Sequence, residues 1–196
     1  MKGHTSYNGL TCQQHPNFKD AFATFLNLEK FSRVLEIGTA GGGTIQFIRD
    51  HLDSQGNTDT LIKTFEVKEH KWFADMRSDN MDIVIENIFS HSYREIEKPE
   101  LVSDFIKDPG PVLVLCDGGC KVHEFNILSK FIKPGDFIMA HDYAPSSEYF
   151  QEHMKDKIWN WVEIKDEQIQ ASIDEHDLQQ VYFDNFIQVA WCCFKK

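Results

Sequence analysis

An acid stands two residues ahead of a glycine cluster in Glu36-Ile37-Gly38-Thr39-Ala40-Gly41-Gly42-Gly43-Thr44, and a second acid, Glu66, closes the next apolar run. These residue types suit a nucleoside. Gly38, Gly41 and Gly43 remove side chains where the chain must turn and where a ligand must lie against backbone. A carboxylate at a strand end can accept both ribose hydroxyls, although Glu66 could also be a plain exposed acid. Asp117 and Asp142 close two further apolar runs, and ligands of an open α/β sheet bind outside the carboxyl ends of its strands. Carboxylates converging there make an oxygen-rich site suited to Mg²⁺, which can clamp neighbouring hydroxyls and lower their pKa. His141 has three readings: a softer metal ligand, a general base near neutral pH, or a polar residue satisfied at a strand end. Lys121 is a second base candidate, or a solvated lysine at a helix start.

The elements that must position these groups are readable as alternation. Apolar runs at 33–39, 62–67, 83–89, 111–117 and 136–142 are separated by helical patterns, which specifies parallel βαβ units in a doubly wound α/β fold with helices on both faces. The fourth run is apolar nearly throughout, as a central strand covered on both faces should be. Ile45, Ile48 and Leu52 form one core-facing helix stripe, and Val122, Phe125, Leu128 and Phe131 another. Ahead of the first run, 15–31 reads as a helix whose Phe18, Phe22, Phe25 and Leu26 pack as core, although such a Phe-rich segment could also meet a partner in a homo-oligomer. Beyond Tyr143, residues 150–161 fit a helix, 161–164 a short strand and 187–194 a long final strand closing a hairpin. This makes a mostly parallel sheet of seven strands with an antiparallel end. Residues 166–185 read as an insertion over the open edge of the site, within a covering segment 144–185. The whole chain of 196 residues reads as one domain.

The glycine loop is not that of a dinucleotide enzyme, whose second glycine admits a pyrophosphate; Ala40 stands there, and Glu36 would repel phosphate while favouring a cation. The order Glu36 to Gly43 instead resembles the first motif of class I S-adenosylmethionine-dependent methyltransferases. That resemblance implies a Rossmann-like fold and a cofactor carrying an ammonium and a sulfonium. It also implies a cofactor site of Glu36, Gly38, Thr39, Gly41, Gly43, Thr44, Glu66, Val67, Asn87, Ile88 and Asp117, with Asn87 and Ile88 closing the third strand against the adenine. The segments Leu115 to Gly119 and Lys133 to Tyr143, with Gln14-His15-Pro16-Asn17 and Asp20 ahead of the loop, are similar to the cephalosporin hydroxylase/rhamnosyl O-methyltransferase group and its macrolide-sugar relatives. This implies metal-assisted O-methylation of a diol or sugar, with Asp117, His141 and Asp142 as ligands of Mg²⁺. Lys121 resembles the lysine near the metal aspartate of catechol-type methyltransferases. The chain departs from the group in His141, where consecutive acids are usual, and in Gly118-Gly119-Cys120, where a histidine is common. A nicotinamide- or sugar-nucleotide-binding enzyme on the same sheet and a catalytically degenerate binding module remain the alternatives.

Composition makes a small or neutral substrate the expected partner, and the resemblance makes it a small-molecule or saccharide acceptor. A formal charge of −11 with scattered Lys and Arg opposes nucleic acid and anionic membranes. No apolar leader precedes residue 6 and no run of about 18 apolar residues occurs, so the expectation is a soluble, cytoplasmic protein. Five cysteines without paired-ligand spacing read as reduced thiols, with Cys116 as a small hydrophobe.

Overall fold

The structure, a computed structural model, describes residues 5–90 and 95–196. The start of the chain, residues 1–4, where no leader is expected, lies outside the described residues. A hairpin of β1 (Thr5–Tyr7) and β2 (Leu10–Cys12) leads into α1 (Phe18–Leu28). Then follow β3 (Arg33–Ile37), α2 (Gly43–Ser54), β4 (Leu61–Glu66), α3 (Phe73–Met76), β5 (Met81–Ile85), α4 (Glu100–Lys107), β6 (Val112–Cys116), α5 (Lys121–Leu128) and β7 (Phe137–His141). The tail holds α6 (Ser147–Tyr149), a π-helical turn (Phe150–Met154), α7 (Asp166–Glu175), β8 (Gln179–Gln180), α8 (Phe183–Phe186), a 3₁₀ turn (Ile187–Val189) and β9 (Trp191–Lys195).

The main sheet has seven strands in the order β5-β4-β3-β6-β7-β9-β8. The first five are parallel, β9 runs antiparallel to β7, and β8 runs antiparallel to β9. The order reverses between β3 and β6, so the carboxyl ends of those neighbours open a crevice. This is the expected Rossmann-like, mostly parallel architecture with its antiparallel end.

Strand alternation sorts the core into two layers, because successive side chains of a strand point to opposite faces. Val112, Val114 and Cys116 of β6 join Ile138 and Ala140 of β7 and the helices α4, α5 and α7 on one face. Leu113 and Leu115 join Phe137 and Met139 with α1 and α2 on the other. The aromatic stripe of α1 is core: Phe25 meets Phe137 edge-on at 5.4 Å, and Phe22 meets Trp191 at 5.3 Å. Cys116 and Cys192 belong to one layer and Cys12 and Cys193 to the other. Burial pushes the Cys12 thiol up to about 11, so these sulfurs behave as small apolar groups.

The tail departs from the sequence reading. Phe150 and Met154 are buried as expected, but the helical segment ends at Met154 and Trp161 is 52% exposed. Residues 161–164 form only a single bridge, Ile164 to Tyr143, and β9 starts at Trp191 because α8 and the 3₁₀ turn take 183–189. The hairpin partner of β9 is Gln179–Gln180. Nor does 166–185 cover the site. α7 packs on α5, where the Ser172 hydroxyl donates to Asn126 Oδ1 at 2.7 Å and Ile169 is fully buried.

Candidate active site

The carboxyl ends of β3, β6 and β7 carry two joined cavities of about 420 Å³ and about 330 Å³. They share Gln13, Gly38, Ala40, Asp117 and Gly118. Gly38 runs close against the backbone that follows β6. Its φ of +93° favours glycine, and a Cβ there would lie 2.4 Å from the Asp117 carbonyl oxygen. Gly41 and Gly43 serve a neighbour within the chain as well as any ligand. A Cβ on Gly41 would meet the Thr11 carbonyl oxygen at 2.3 Å, and one on Gly43 the Cys12 sulfur at 2.4 Å. The strand β2 therefore presses on the loop, bridging through Thr11 to Gly42. This corrects the expectation that all three glycines yield to a nucleoside: Gly41 lines the larger cavity, and Gly43 lines neither.

The smaller cavity is lined by Glu66, Val67, Asn87 and Ile88. Glu66 Oε2 accepts from Ala40 N at 2.7 Å and Oε1 from Val67 N at 2.8 Å. Each oxygen retains a lone pair for a hydroxyl donor. Asn87 and Ile88 lie past the end of β5, which stops at Ile85, so they are loop residues rather than the close of a strand. The Ile88 carbonyl accepts from Glu97 N at 2.8 Å, beside the Phe89 to Ile96 bridge.

Glu36 departs from its expected place. It is buried behind the loop, lines neither cavity, and accepts from the Thr64 hydroxyl at 2.5 Å. The Thr64 and Thr39 hydroxyl oxygens lie 2.6 Å apart. Burial raises the Glu36 carboxyl to about 8, partly offset by the Thr64 hydrogen bond and reinforced by Asp117 and Glu66. The acid braces the loop through Thr64 and Thr39 instead of touching a ligand. A strand-interior acid in a parallel sheet must be buried, and its position two residues before the turn does not say which face it occupies. Thr39 and Thr44 line the larger cavity as expected.

At the other end Asp117, Lys121, His141 and Asp142 come together on the larger cavity. Gln14 Nε2 donates to Asp117 Oδ2 at 2.7 Å, and His141 Nδ1 donates to Asp117 Oδ1 at 3.1 Å. Gln14 also accepts from Trp191 Nε1 at 2.8 Å, tying the segment before α1 to the last strand. Lys121 Nζ sits 3.0 Å from Asp142 Oδ2, 3.0 Å from Glu163 Oε2 and 3.9 Å from Asp117 Oδ1, and donates to the Gly118 carbonyl at 3.1 Å. Trp159 Nε1 donates to Asp142 Oδ1. His141 is 2% exposed and stacks on Trp191 at 5.1 Å; its Nε2 has no hydrogen-bond partner among the described residues.

Charge at this end is fixed. Burial alone would lower the Lys121 pKa, but Asp117, Asp142 and Glu163 outweigh it and hold it above the ordinary lysine value. Burial would raise Asp142, yet His141, Lys121 and Trp159 hold it below the ordinary carboxylate value. Lys121 is thus neither the solvated lysine nor the base considered from sequence; it is a buried cation. Asp142 itself has φ +57°, a left-handed conformation that aspartate tolerates better than most residues. Its carbonyl accepts from Glu163 N at 2.8 Å and Ile164 N at 3.3 Å, which folds 159–164 back over the end of β7.

The donor set does not fit Mg²⁺. That ion demands near-octahedral oxygen ligands at about 2.0–2.1 Å, whereas the Lys121 ammonium already lies 3.0 Å from Asp142 Oδ2 and 3.9 Å from Asp117 Oδ1. No group of three or more metal-ligating side chains is arranged to hold an ion among the described residues. The expected metal role of Asp117, His141 and Asp142 does not suit this arrangement: His141 turns its Nδ1 to Asp117, and an ammonium lies beside both aspartates.

Sequence reasoning missed Gln13, Trp159, Asn160, Trp161 and Glu163, all on the larger cavity. It also missed Glu124, buried beneath the loop after β6, which accepts from Gly118 N and Cys120 N at 3.0 Å each. Burial raises Glu124 to about 7 against those hydrogen bonds. The only signal for the 159–163 group was a tryptophan pair around an asparagine with no apolar period.

No helix among the described residues is long and apolar enough to cross a membrane. No family model and no curated protein sequence matches the chain. Solved structures do. CmcI without ligand superposes with a TM-score of 0.66 at 11% identity, covering 98% of this chain and 76% of that one. CmcI with Mg and SAM gives 0.64 at 12%, again covering 98% and 76%. The MycE methyltransferase of the mycinamycin biosynthetic pathway, with Mg and SAH, gives 0.52 at 15%, covering 92% of this chain and 48% of that one. This chain therefore has the fold of the class I methyltransferases.

Proposed function

We propose that the protein transfers a methyl group from S-adenosylmethionine to a hydroxyl of a small molecule or saccharide. The observation that carries this reading is the pair of cavities meeting at Gly38, Asp117 and Gly118. One is shaped for a nucleoside and the other for an acceptor, so the sulfonium lies at their junction. Glu66 receives the ribose hydroxyls, Asn87 and Ile88 flank the adenine, and the Thr39–Thr44 side of the loop faces the amino-acid end. The net negative charge of Asp117, Asp142 and Glu163 around one ammonium suits a cationic donor.

The acceptor enters beside Trp159, Asn160 and Trp161. Its oxygen attacks the methyl carbon, the S–C bond breaks with its electron pair passing to sulfur, and the neutral thioether leaves as S-adenosylhomocysteine. The hydroxyl proton goes to Glu163, the most exposed of the three carboxylates on the larger cavity, while His141, whose Nε2 is buried, orients Asp117 through Nδ1. Much of the remaining acceleration is alignment of oxygen, carbon and sulfur in a line.

Incubation with methyl-labelled S-adenosylmethionine and a panel of diols and saccharides tests the reading. Label should pass to an acceptor, transfer should fall by about 10²–10⁴-fold in Glu163→Gln, and Trp161→Ala should slow transfer without changing cofactor affinity. Cofactor binding without transfer to any acceptor of the panel would favour a non-catalytic module instead.

A further inference from the structure

Three acids converge on a single ammonium at the acceptor end of the crevice. Lys121 is the first residue of α5, yet its side chain is only 7% exposed and its Nζ contacts Asp142, Glu163 and the Gly118 carbonyl at 3.0 to 3.1 Å. An ammonium has three hydrogens, and these partners use all of them. The opposite oxygens of Asp117 and Asp142 are held by Gln14 and Trp159, and Asp117 Oδ1 also accepts from His141. A divalent ion entering here would have to drive a lysine out of a buried pocket, leaving its charge without partners.

Resting on the methyltransferase reading, we infer that Lys121 occupies the place of a divalent cation and that methyl transfer in this protein runs without a metal. Lys121 is a positioning residue: it bridges Asp142 and Glu163, fixes the 159–163 segment over β7, and leaves enough negative charge to receive a sulfonium. A hard cation would meet an ammonium that already supplies the counter-charge to these acids.

Mn²⁺ binding read by electron paramagnetic resonance on the full-length wild type, Asp142→Asn and Lys121→Ala decides this. Calorimetric titration of S-adenosylhomocysteine into the same samples, with and without chelator, is the parallel measurement. The wild type should show no Asp142-dependent Mn²⁺ site, and chelator should change S-adenosylhomocysteine affinity less than twofold. Lys121→Ala, by freeing three carboxylates, should bind Mn²⁺ at least tenfold more tightly than the wild type. Mn²⁺ bound by the wild type and lost in Asp142→Asn overturns the proposal, as does a folded Lys121→Ala protein that gains no Mn²⁺. If Lys121→Ala does not fold, the comparison of wild type with Asp142→Asn decides alone. Failure of the wild type to bind S-adenosylhomocysteine would instead strike the methyltransferase reading, independently of the Mn²⁺ result.

Discussion

The two ends of the crevice are built by different means. At the end proposed for the nucleoside, contacts to backbone shape the wall: Gly38 lies against the Asp117 carbonyl, and Glu66 is tied to Ala40 N and Val67 N. At the acceptor end, side chains from five separate segments meet, with Gln14 before α1, Asp117 after β6, Lys121 on α5, His141 and Asp142 at the end of β7, and Glu163 in the tail. A backbone site depends on local conformation and close approach. A side-chain site depends on charge balance among groups that only the tertiary fold assembles, so substitutions at the two ends should fail in different ways.

The largest effect should come from Gly38→Ala. A Cβ 2.4 Å from backbone, at φ +93°, cannot be relieved by a rotamer, and overpacking of this kind costs about 1–3 kcal/mol before the φ strain is added. S-adenosylhomocysteine binding measured calorimetrically should fall by more than about a hundredfold. Glu66→Ala comes next: loss of charge-assisted hydrogen bonds worth about 1.5–3 kcal/mol should weaken the same binding roughly tenfold to a hundredfold while leaving the acceptor end intact. If Glu66→Ala left the affinity unchanged, the assignment of the smaller cavity to the nucleoside would be wrong.

Gln14→Ala probes the other end. It strands Asp117 Oδ2 and Trp191 Nε1, both of which it now satisfies, and a buried unsatisfied partner costs about 1–3 kcal/mol. The denaturation midpoint should drop accordingly, with methyl transfer reduced more than cofactor binding because Asp117 loses its orientation. Equal losses in both would erase the distinction between the ends.

The smallest effect is in pH. Glu36 and Glu124 are raised to about 8 and about 7 by burial, so the folded chain keeps protons that the unfolded chain releases above the ordinary glutamate value of 4.5. Stability is retained below that value and lost as pH climbs towards 8, because the native state binds more protons across the window. Thermal melting from mildly acid to mildly alkaline pH should show this decline, and Glu36→Gln should flatten it. A midpoint that rises over the same range would mean Glu36 is ionised in the fold.

The contrast between the ends also explains what the sequence revealed. The β3 loop, Glu66 and the five parallel strands were legible because short-range spacing and apolar runs report local structure directly. The face of Glu36 was not, since a buried acid and a ligand-facing acid have the same spacing from the turn. Glu163 and the tryptophans were hidden because their place depends on the Asp142 carbonyl accepting from Glu163 N and Ile164 N, a contact with no periodic signature. Gln179–Gln180 pairs with β9 although both residues are exposed and polar, so no hydrophobic pattern marks it as a strand. Lys121 was read as solvated or basic because a helix-start lysine reports nothing about three acids gathered from elsewhere in the chain.

The central claim is that the joined cavities take an adenosyl sulfonium cofactor. Titrating S-adenosylhomocysteine and a nicotinamide dinucleotide separately into the wild-type protein in a calorimeter tests it most directly. The account predicts saturable binding of the first at a single site and none of the second; binding of the dinucleotide with rejection of S-adenosylhomocysteine would contradict it.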